Sequence, residues 1–343
     1  MNISKINRRN FFFLLAVLAI VYVSHRFHDR IIGKKTIRNG RYAVISIDLD
    51  TNLDFYLFYL PITCMSWRLI DFEPILMAVV LDKTESNILA KKTLEYLEIL
   101  KVKVIFLKSL PKYSKITGML TRLFVGIIDD LSDSDFIFQS DADLLPINKT
   151  YYNNFDKTDQ IKLFDVSSFQ SPIGKFGWRG RDYQMYFMGH IGMTKKQWRH
   201  IMHFENNTKY KFNGESIINL VKEYFDDSRL KANNDIQRGD ETWYLDQHIL
   251  SINIQRHLDD PKNKMYRNPS PGIKLDRIWS DEKWLSTLAN KYNDINDVHL
   301  FHENYLDKMK FLDLLLIKMF SPTEKAFIDK YIQEFMQIKL KKN

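Results

Sequence analysis

Short, mostly apolar runs alternate along this chain with longer stretches in which apolar residues return every three or four positions. Tyr42–Ile47, Ile75–Leu81, Val102–Leu107 and Phe136–Ser140 have strand length and are rich in branched and aromatic side chains. Between the first two, Leu57, Leu60, Cys64 and Trp67 recur at helical spacing within Phe55–Ile70, with Pro61 tolerable only near a first turn. Between the next two, Ser86 is placed to cap a helix carrying Ala90, Leu94, Leu97 and Leu100 on one face. The strongest helical pattern is Leu120, Leu123, Phe124, Ile127, Ile128 and Leu131. Such alternation predicts an α/β fold: right-handed crossovers and a mostly parallel sheet with helices on both faces. Ligands of such sheets bind outside the carboxyl ends of the strands. Further on, Lys195–His203, a segment starting near His248, Phe311–Phe320 and Pro322–Leu340 are expected to be helical.

The amino end breaks this pattern. Phe11–Val23 is an unbroken apolar run with Lys5, Arg8 and Arg9 before it and Arg26 after it. A helix of that length covers about two-thirds of a ~30 Å hydrocarbon core, so spanning needs the flanks and snorkelling by Arg26. The expected organisation is a cytoplasmic tail at 1–10, a single signal-anchor transmembrane helix at 11–27 and a short stem at 28–40. A catalytic or binding body at 41–320 and a C-terminal helix with a basic tail at 321–343 complete it. A cleaved signal peptide is the rival, but bulky Tyr22 and Val23 stand where cleavage wants small residues. Positive charge ahead of the run keeps the amino end cytoplasmic and sends the body into the lumen, which is type II topology. The sequons Asn148-Lys149-Thr150 and Asn206-Asn207-Thr208 are compatible with that, whereas Asn268-Pro269-Ser270 is blocked by its proline.

Composition narrows the function. With 45% apolar residues in 343, the chain is neither a polytopic membrane protein nor wholly disordered. Its net charge of +8 suggests nucleic acid until Lys5, Arg8, Arg9, Lys339, Lys341 and Lys342 are set aside. The remainder carries 44 basic against 42 acidic residues, with no basic cluster to track phosphates, so nucleic acid is not an expected partner. The single cysteine, Cys64, excludes an intramolecular disulfide and a cysteine-based zinc site; as part of a helix it is expected to be a buried small apolar group.

The candidate chemistry sits at the end of the fourth strand, Gln139-Ser140-Asp141-Ala142-Asp143. If extended geometry continues, Asp141 and Asp143 point to one side with small Ala142 between them, and both carboxylates address one hard cation. An ion held so can bridge a nucleotide's diphosphate and neutralise charge on a departing phosphate. Asp48-Leu49-Asp50 and Asp133-Ser134-Asp135 share the spacing. Asp133 and Asp135 enter their strand at the wrong edge, while Asp48 and Asp50 follow the first strand and remain a rival metal site or a nucleotide-facing loop.

The segment FIFQSDADLLP, within Tyr42–Phe301, resembles the metal strand of GT-A-fold nucleotide-sugar glycosyltransferases of the Asp-x-Asp type. The resemblance implies that Asp141 and Asp143 ligate a metal, manganese or magnesium, and through it the diphosphate of a nucleotide-sugar donor, a UDP-sugar foremost. It implies a basic residue reaching the nucleotide from the preceding helix, for which Lys115 and Arg122 are similarly placed. Tyr186–Met193, with Gly189, is similar to the acceptor-side strand of these enzymes, and glycine there permits close backbone approach to the ligand. Gly239–Gln247 looks like their carboxylate-bearing segment, which makes Glu241 and Asp246, ahead of Asp240, the candidate catalytic acids. His299 resembles the late histidine that joins the metal, with His302 as alternate. The aromatic and arginine-rich stretch from Pro172 to Tyr186, including Phe176, Trp178, Arg179, Arg181 and Tyr183, fits an acceptor-side flap or a surface loop anchored by its tryptophan. The expected protein is a glycosyltransferase of the Golgi or endoplasmic-reticulum membrane acting on a glycan, glycoprotein or glycolipid acceptor. A metal-dependent phosphoester hydrolase and a non-catalytic carbohydrate-binding protein are the alternatives.

Overall fold

The computed structural model describes residues 40–50, 54–81, 87–153, 160–164, 174–205, 211–237, 239–268, 272–302 and 304–342. The expected tail, signal anchor and most of the stem, the Ser86 cap and the Asn206 sequon lie outside the described residues. Among those described, no helix is long and apolar enough to cross a membrane.

Each early strand carries apolar residues on both faces, and successive residues divide between two cores. In β1 (Arg41–Asp48), Ala43, Ile45 and Ile47 join one cluster and Val44 the other; in β2 (Glu73–Val80), Leu76 and Ala78 oppose Ile75, Met77 and Val79. A strand buried on both faces must be covered twice, which is why helices flank it. With β3 (Lys103–Lys108) and β4 (Phe136–Ser140) they form a parallel array, β3-β2-β1-β4. Beyond β4 the pairing becomes mixed, within a sheet that stays mostly parallel as expected. β9 (Ile191–Thr194) runs antiparallel between β4 and β6 (Ile161–Leu163), and β10 (Met265–Arg267) closes a seven-stranded mixed sheet. A second sheet, β11 (Ile273–Leu275), β12 (Ile295–His299) and β5 (Leu144–Pro146), stands at the carboxyl end of β4.

On one face lie α1 (Asp54–Leu69), α2 (Ile88–Ile99) and, from the far end of the chain, the helix Pro322–Lys342, whose Tyr331 and Phe335 are fully buried. Pro61 sits two turns into α1, not in its first. Lacking an N–H, it leaves the Leu57 carbonyl without its helical partner, and the Tyr331 hydroxyl donates to that oxygen at 2.9 Å with Thr93 Oγ1 at 3.3 Å. The cap of α2 is Asn87, whose side chain accepts from Ala90 N at 3.2 Å. Cys64 is buried with its thiol pushed up to about 12 by burial, as an inert apolar group should be.

The opposite face holds α3 (Ser114–Leu120), a 3₁₀ segment Thr121–Ile127, and the helices Lys195–Ile201, Gly214–Tyr224 and Leu245–Leu258. The single helix expected across Leu120–Leu131 is therefore replaced by two shorter pieces, ending at Ile127. Thr117 and Thr121 hydroxyls bond back to the carbonyls of Tyr113 (2.8 Å) and Thr117 (2.5 Å), a pattern that bends helices. The Arg122 carbonyl is taken by buried Gln139 Nε2 at 2.8 Å. Gly126 lies so close to the helix beginning at Lys195 that a Cβ would meet Arg199 N at 2.7 Å.

Candidate functional site

A cavity of about 610 Å³ opens where the parallel strands end, at the edge where ligands of such sheets bind. Asp48 at the end of β1 and Asp141 and Asp143 just past β4 stand in its wall, with Lys115, Arg122 and His299.

The chain does not stay extended beyond Ser140. Residues 141–143 form a turn, closed by Leu144 N donating to the Asp141 carbonyl at 3.3 Å, and both carboxylates reach the cavity by that route. Thr63 Oγ1 donates to the Ala142 carbonyl at 2.6 Å, and Trp67 Nε1 to Ser140 Oγ at 2.8 Å, so α1 fixes the turn from behind. After the turn β5 pairs antiparallel with β12, setting His299 opposite Leu144, and Leu300 N donates to the Asp143 carbonyl at 2.9 Å. That pairing returns a distant histidine to the aspartates.

Asp141 and Asp143 are each held by an arginine. Arg122 Nη1 bonds Asp141 Oδ1 at 2.6 Å, while its Nε and Nη2 both bond Asp246 Oδ2, at 3.1 and 2.6 Å. Arg277 Nη1 and His302 Nε2 both meet Asp143 Oδ2, each at 2.6 Å. Burial alone would raise both carboxyls. Arg122 and the His299 ring hold Asp141 well below the usual carboxylate range, and His302 and Arg277 lower Asp143. Asp246 goes the other way: burial raises it against the pull of Arg122. Both of its oxygens are committed, since Oδ1 accepts from Gln247 N at 2.7 Å.

A divalent ion can be tested against these groups. Asp141 Oδ2 faces His299 Nε2 across 3.7 Å, too far for a hydrogen bond, and that nitrogen is buried without a hydrogen-bond partner. Two atoms each about 2.1 Å from a shared ion lie roughly 3–4 Å apart, so this pair fits as ligands of one cation. Among the described residues no group of three or more His, Cys, Asp or Glu is placed to hold a metal ion as the side chains stand. The third expected ligand, Asp143, is beside them, with Oδ2 engaged by Arg277.

The other expected residues divide. Lys115 lines the cavity from α3, which is seated on the end of β1 by Ser114 Oγ donating to Asp48 Oδ2 at 2.8 Å. Gly189 is close against Asp141: a Cβ there would meet Oδ2 at 2.9 Å. Asp246 lines the cavity, from the first turn of a helix that begins at Leu245 and not near His248. Glu241 does not; it is exposed, in a 3₁₀ turn, and paired with Arg229. Asp240 caps that turn through Trp243 N at 2.9 Å. Asp50 turns from the cavity to accept from Leu81 N at 3.0 Å, and Asp133 pairs with Arg199. The aromatic stretch forms a hairpin, β7 (Lys175–Trp178) and β8 (Arg181–Gln184), anchored by Trp178 Nε1 on the Tyr224 carbonyl at 2.7 Å; its aromatics pack on the protein and do not line the cavity. Asn148 caps the helix Lys149–Asn153 and donates to Asn296 Oδ1 at 3.1 Å.

Sequence reasoning missed Arg277 and Lys274, which bring positive charge to the cavity from β11 and the turn after it. It also missed His190, which lines the cavity with Nε2 3.5 Å from Asp297 Oδ2. The only sequence signal for Arg277 is a basic residue shortly after an apolar strand.

The fold is mixed α/β with a largely parallel central sheet. No protein-family model matches the chain, and no curated protein matches it in sequence. Solved structures similar to it include two glycosyltransferases. One is the glycosyltransferase GlyE of Streptococcus pneumoniae, at 11% identity and a TM-score of 0.39, covering 86% of this chain. This chain spans 63% of the length of that structure. Another is a mutant of a Drosophila beta-1,4-galactosyltransferase 7 in complex with manganese, UDP-Gal and xylobiose, at 12% identity and a TM-score of 0.32, covering 78% of this chain and 74% of that one. Likenesses at this level leave function to be argued from the site itself.

Proposed function

We propose that the chain is a metal-assisted glycosyltransferase that moves a sugar from a nucleotide diphosphate, a UDP-sugar foremost, to a glycan, glycoprotein or glycolipid acceptor. One observation carries the reading. At the carboxyl edge of the sheet, Asp141 Oδ2 and an unpartnered His299 Nε2 face each other across 3.7 Å inside a cavity of about 610 Å³. That volume is the size of a small-molecule site. Asp141, His299 and Asp143 are the residues that would hold manganese or magnesium. Such an ion, when bound, supplies charge neutralisation for the departing nucleotide diphosphate. Lys115, Lys274 and Arg277 add positive charge on the same wall, where an anionic donor would be gripped. Asp246, committed through both oxygens, positions Arg122 and with it the Asp141 carboxylate.

The test is a panel of nucleotide sugars with manganese, with and without glycan acceptors, following acceptor-dependent nucleotide diphosphate release by the wild type and by Asp141→Ala. Loss of the bond from Arg122 and of a metal ligand should lower release at least ~100-fold. Equal release from both proteins would sink the metal assignment. Release that needs no acceptor, or cleavage of phosphoesters that lack a sugar, would favour a hydrolase. Binding without turnover would favour a carbohydrate-binding protein.

The apolar run at Phe11–Val23 supports a further part of the proposal, a single-pass type II protein of the Golgi or endoplasmic-reticulum membrane with its body in the lumen. Protease protection of the body in sealed microsomes is the expected result, and digestion without detergent would refute it.

A further inference from the structure

We propose that Arg277 is a displaceable counter-ion. It occupies Asp143 in the empty site and is drawn off by a nucleotide diphosphate, so that divalent metal and nucleotide enter as one cooperative unit. The inference rests on the metal-and-nucleotide reading above, and it concerns the order in which charges are exchanged.

The two arginines hold their aspartates in different ways. Arg122 is a fixture: three nitrogens span Asp141 and Asp246, the side chain is buried, and its own carbonyl is pinned by Gln139. Arg277 has a single nitrogen, Nη1, on Asp143 Oδ2, and its Nε is buried with no hydrogen-bond partner. It sits on a turn between β11 and the helix Asp281–Asn290, next to Ile278, which is 80% exposed. A guanidinium is built for two parallel bonds to one oxyanion, and here it makes one.

Removing Arg277 with no substitute would leave the Asp143 carboxylate, 3% exposed, with His302 alone on Oδ2, and an uncompensated buried charge is costly. Bringing a divalent ion beside Asp143 while Arg277 stays would crowd positive charges. Moving Arg277 onto a diphosphate meets its unused donors, and the ion then replaces it at Asp143. Each step alone leaves a charge unmatched. The two together leave none, so metal and nucleotide each tighten the binding of the other.

Manganese binding to the full chain in detergent, read from the loss of the free-ion paramagnetic resonance signal with and without UDP, tests this directly. The wild type should bind manganese weakly alone and much more tightly with UDP. Arg277→Gln should bind manganese without UDP about tenfold more tightly than the wild type, with the enhancement by UDP reduced by a similar factor. Thermal unfolding of the same samples reports that the variant is folded. If it is not, Arg277→Lys serves: it keeps the charge at Asp143 but lacks the fork for a diphosphate, so UDP should enhance manganese binding several-fold less than in the wild type. Measurable manganese binding that is equal in wild type and Arg277→Gln without UDP, or a UDP enhancement unchanged in Arg277→Lys, would overturn the counter-ion role alone. Absence of manganese binding in every protein, even with UDP, would overturn the metal reading and this inference with it.

Discussion

A methyl group added at Gly189 would meet Asp141 Oδ2 at 2.9 Å, and that carboxylate cannot swing freely because its other oxygen is bonded to Arg122. Gly189→Ala should therefore displace the oxygen that faces His299 and lower turnover about tenfold, with little change in unfolding temperature. Turnover equal to wild type would show that the close approach has no role. A second residue-scale prediction concerns His248, which does not itself line the cavity. It stacks on Phe176 with ring centres 4.1 Å apart, and burial lowers its pKa to about 4. An unfolded histidine titrates near ~6.5, so between about 6.5 and about 4 the unfolded chain takes up a proton that the folded one refuses, and stability falls as pH falls. From pH 7 to 5 this group alone should cost about 2 kcal/mol. His248→Phe, which keeps the stacking, should lose correspondingly less in urea unfolding at the two pH values. Identical losses would refute the assignment. At this scale the placing of Asp141 and Asp143 in the cavity wall was legible from two acidic residues at a strand's carboxyl end, and that of His299 from the family resemblance alone. Arg277 was not, since nothing in its neighbours' spacing reveals that a turn delivers it to Asp143.

Elements were legible where burial dictates pattern and obscure where side chains bond locally to the backbone. β4 runs Phe136–Ser140 as expected because a doubly covered strand is mostly apolar, here Phe136–Phe138, and its buried Gln139 and Ser140 are hydrogen-bonded. The segment from Leu120 looked like one helix because its apolar spacing is helical, yet threonine back-bonding and the Gln139 amide tighten it into a 3₁₀ run. Pro61 shows the converse: the sequence alone argues against a mid-helix proline, and donors brought from elsewhere in the fold, Tyr331 foremost with Thr93, explain its tolerance. Tyr331→Phe keeps the ring and removes the hydroxyl that satisfies the Leu57 carbonyl, leaving Thr93 as donor. It should destabilise the protein by about 1–2 kcal/mol in chemical denaturation, with nucleotide binding unchanged in the folded protein. A change within error would mean that Thr93 suffices.

Pairings made over long sequence distances belong to the whole molecule, and local patterns carry no record of them. The antiparallel insertion of β9 and the return of β12 to β5 are two; a third is the packing of the last helix. The sequence divides 321–343, a C-terminal helix with a basic tail, from the body at 41–320. In the structure Ile328, Tyr331 and Phe335 are essentially inaccessible, packed in the same core as Phe58 and Tyr96. Burying each such side chain contributes about 1.5–3 kcal/mol. Their joint loss, on the order of 6 kcal/mol, is comparable with the ~5–15 kcal/mol that holds a whole domain together. The same helix supplies the Tyr331 hydroxyl to α1, and α1 in turn holds the Asp141–Asp143 turn through Thr63 and Trp67. A chain ending at Phe320 should accordingly show no cooperative thermal transition and should neither bind UDP nor deplete free manganese. A cooperative transition within a few degrees of the full chain would mean that the final helix is an accessory, and the route of support from the carboxyl end to the aspartate turn would have to be abandoned.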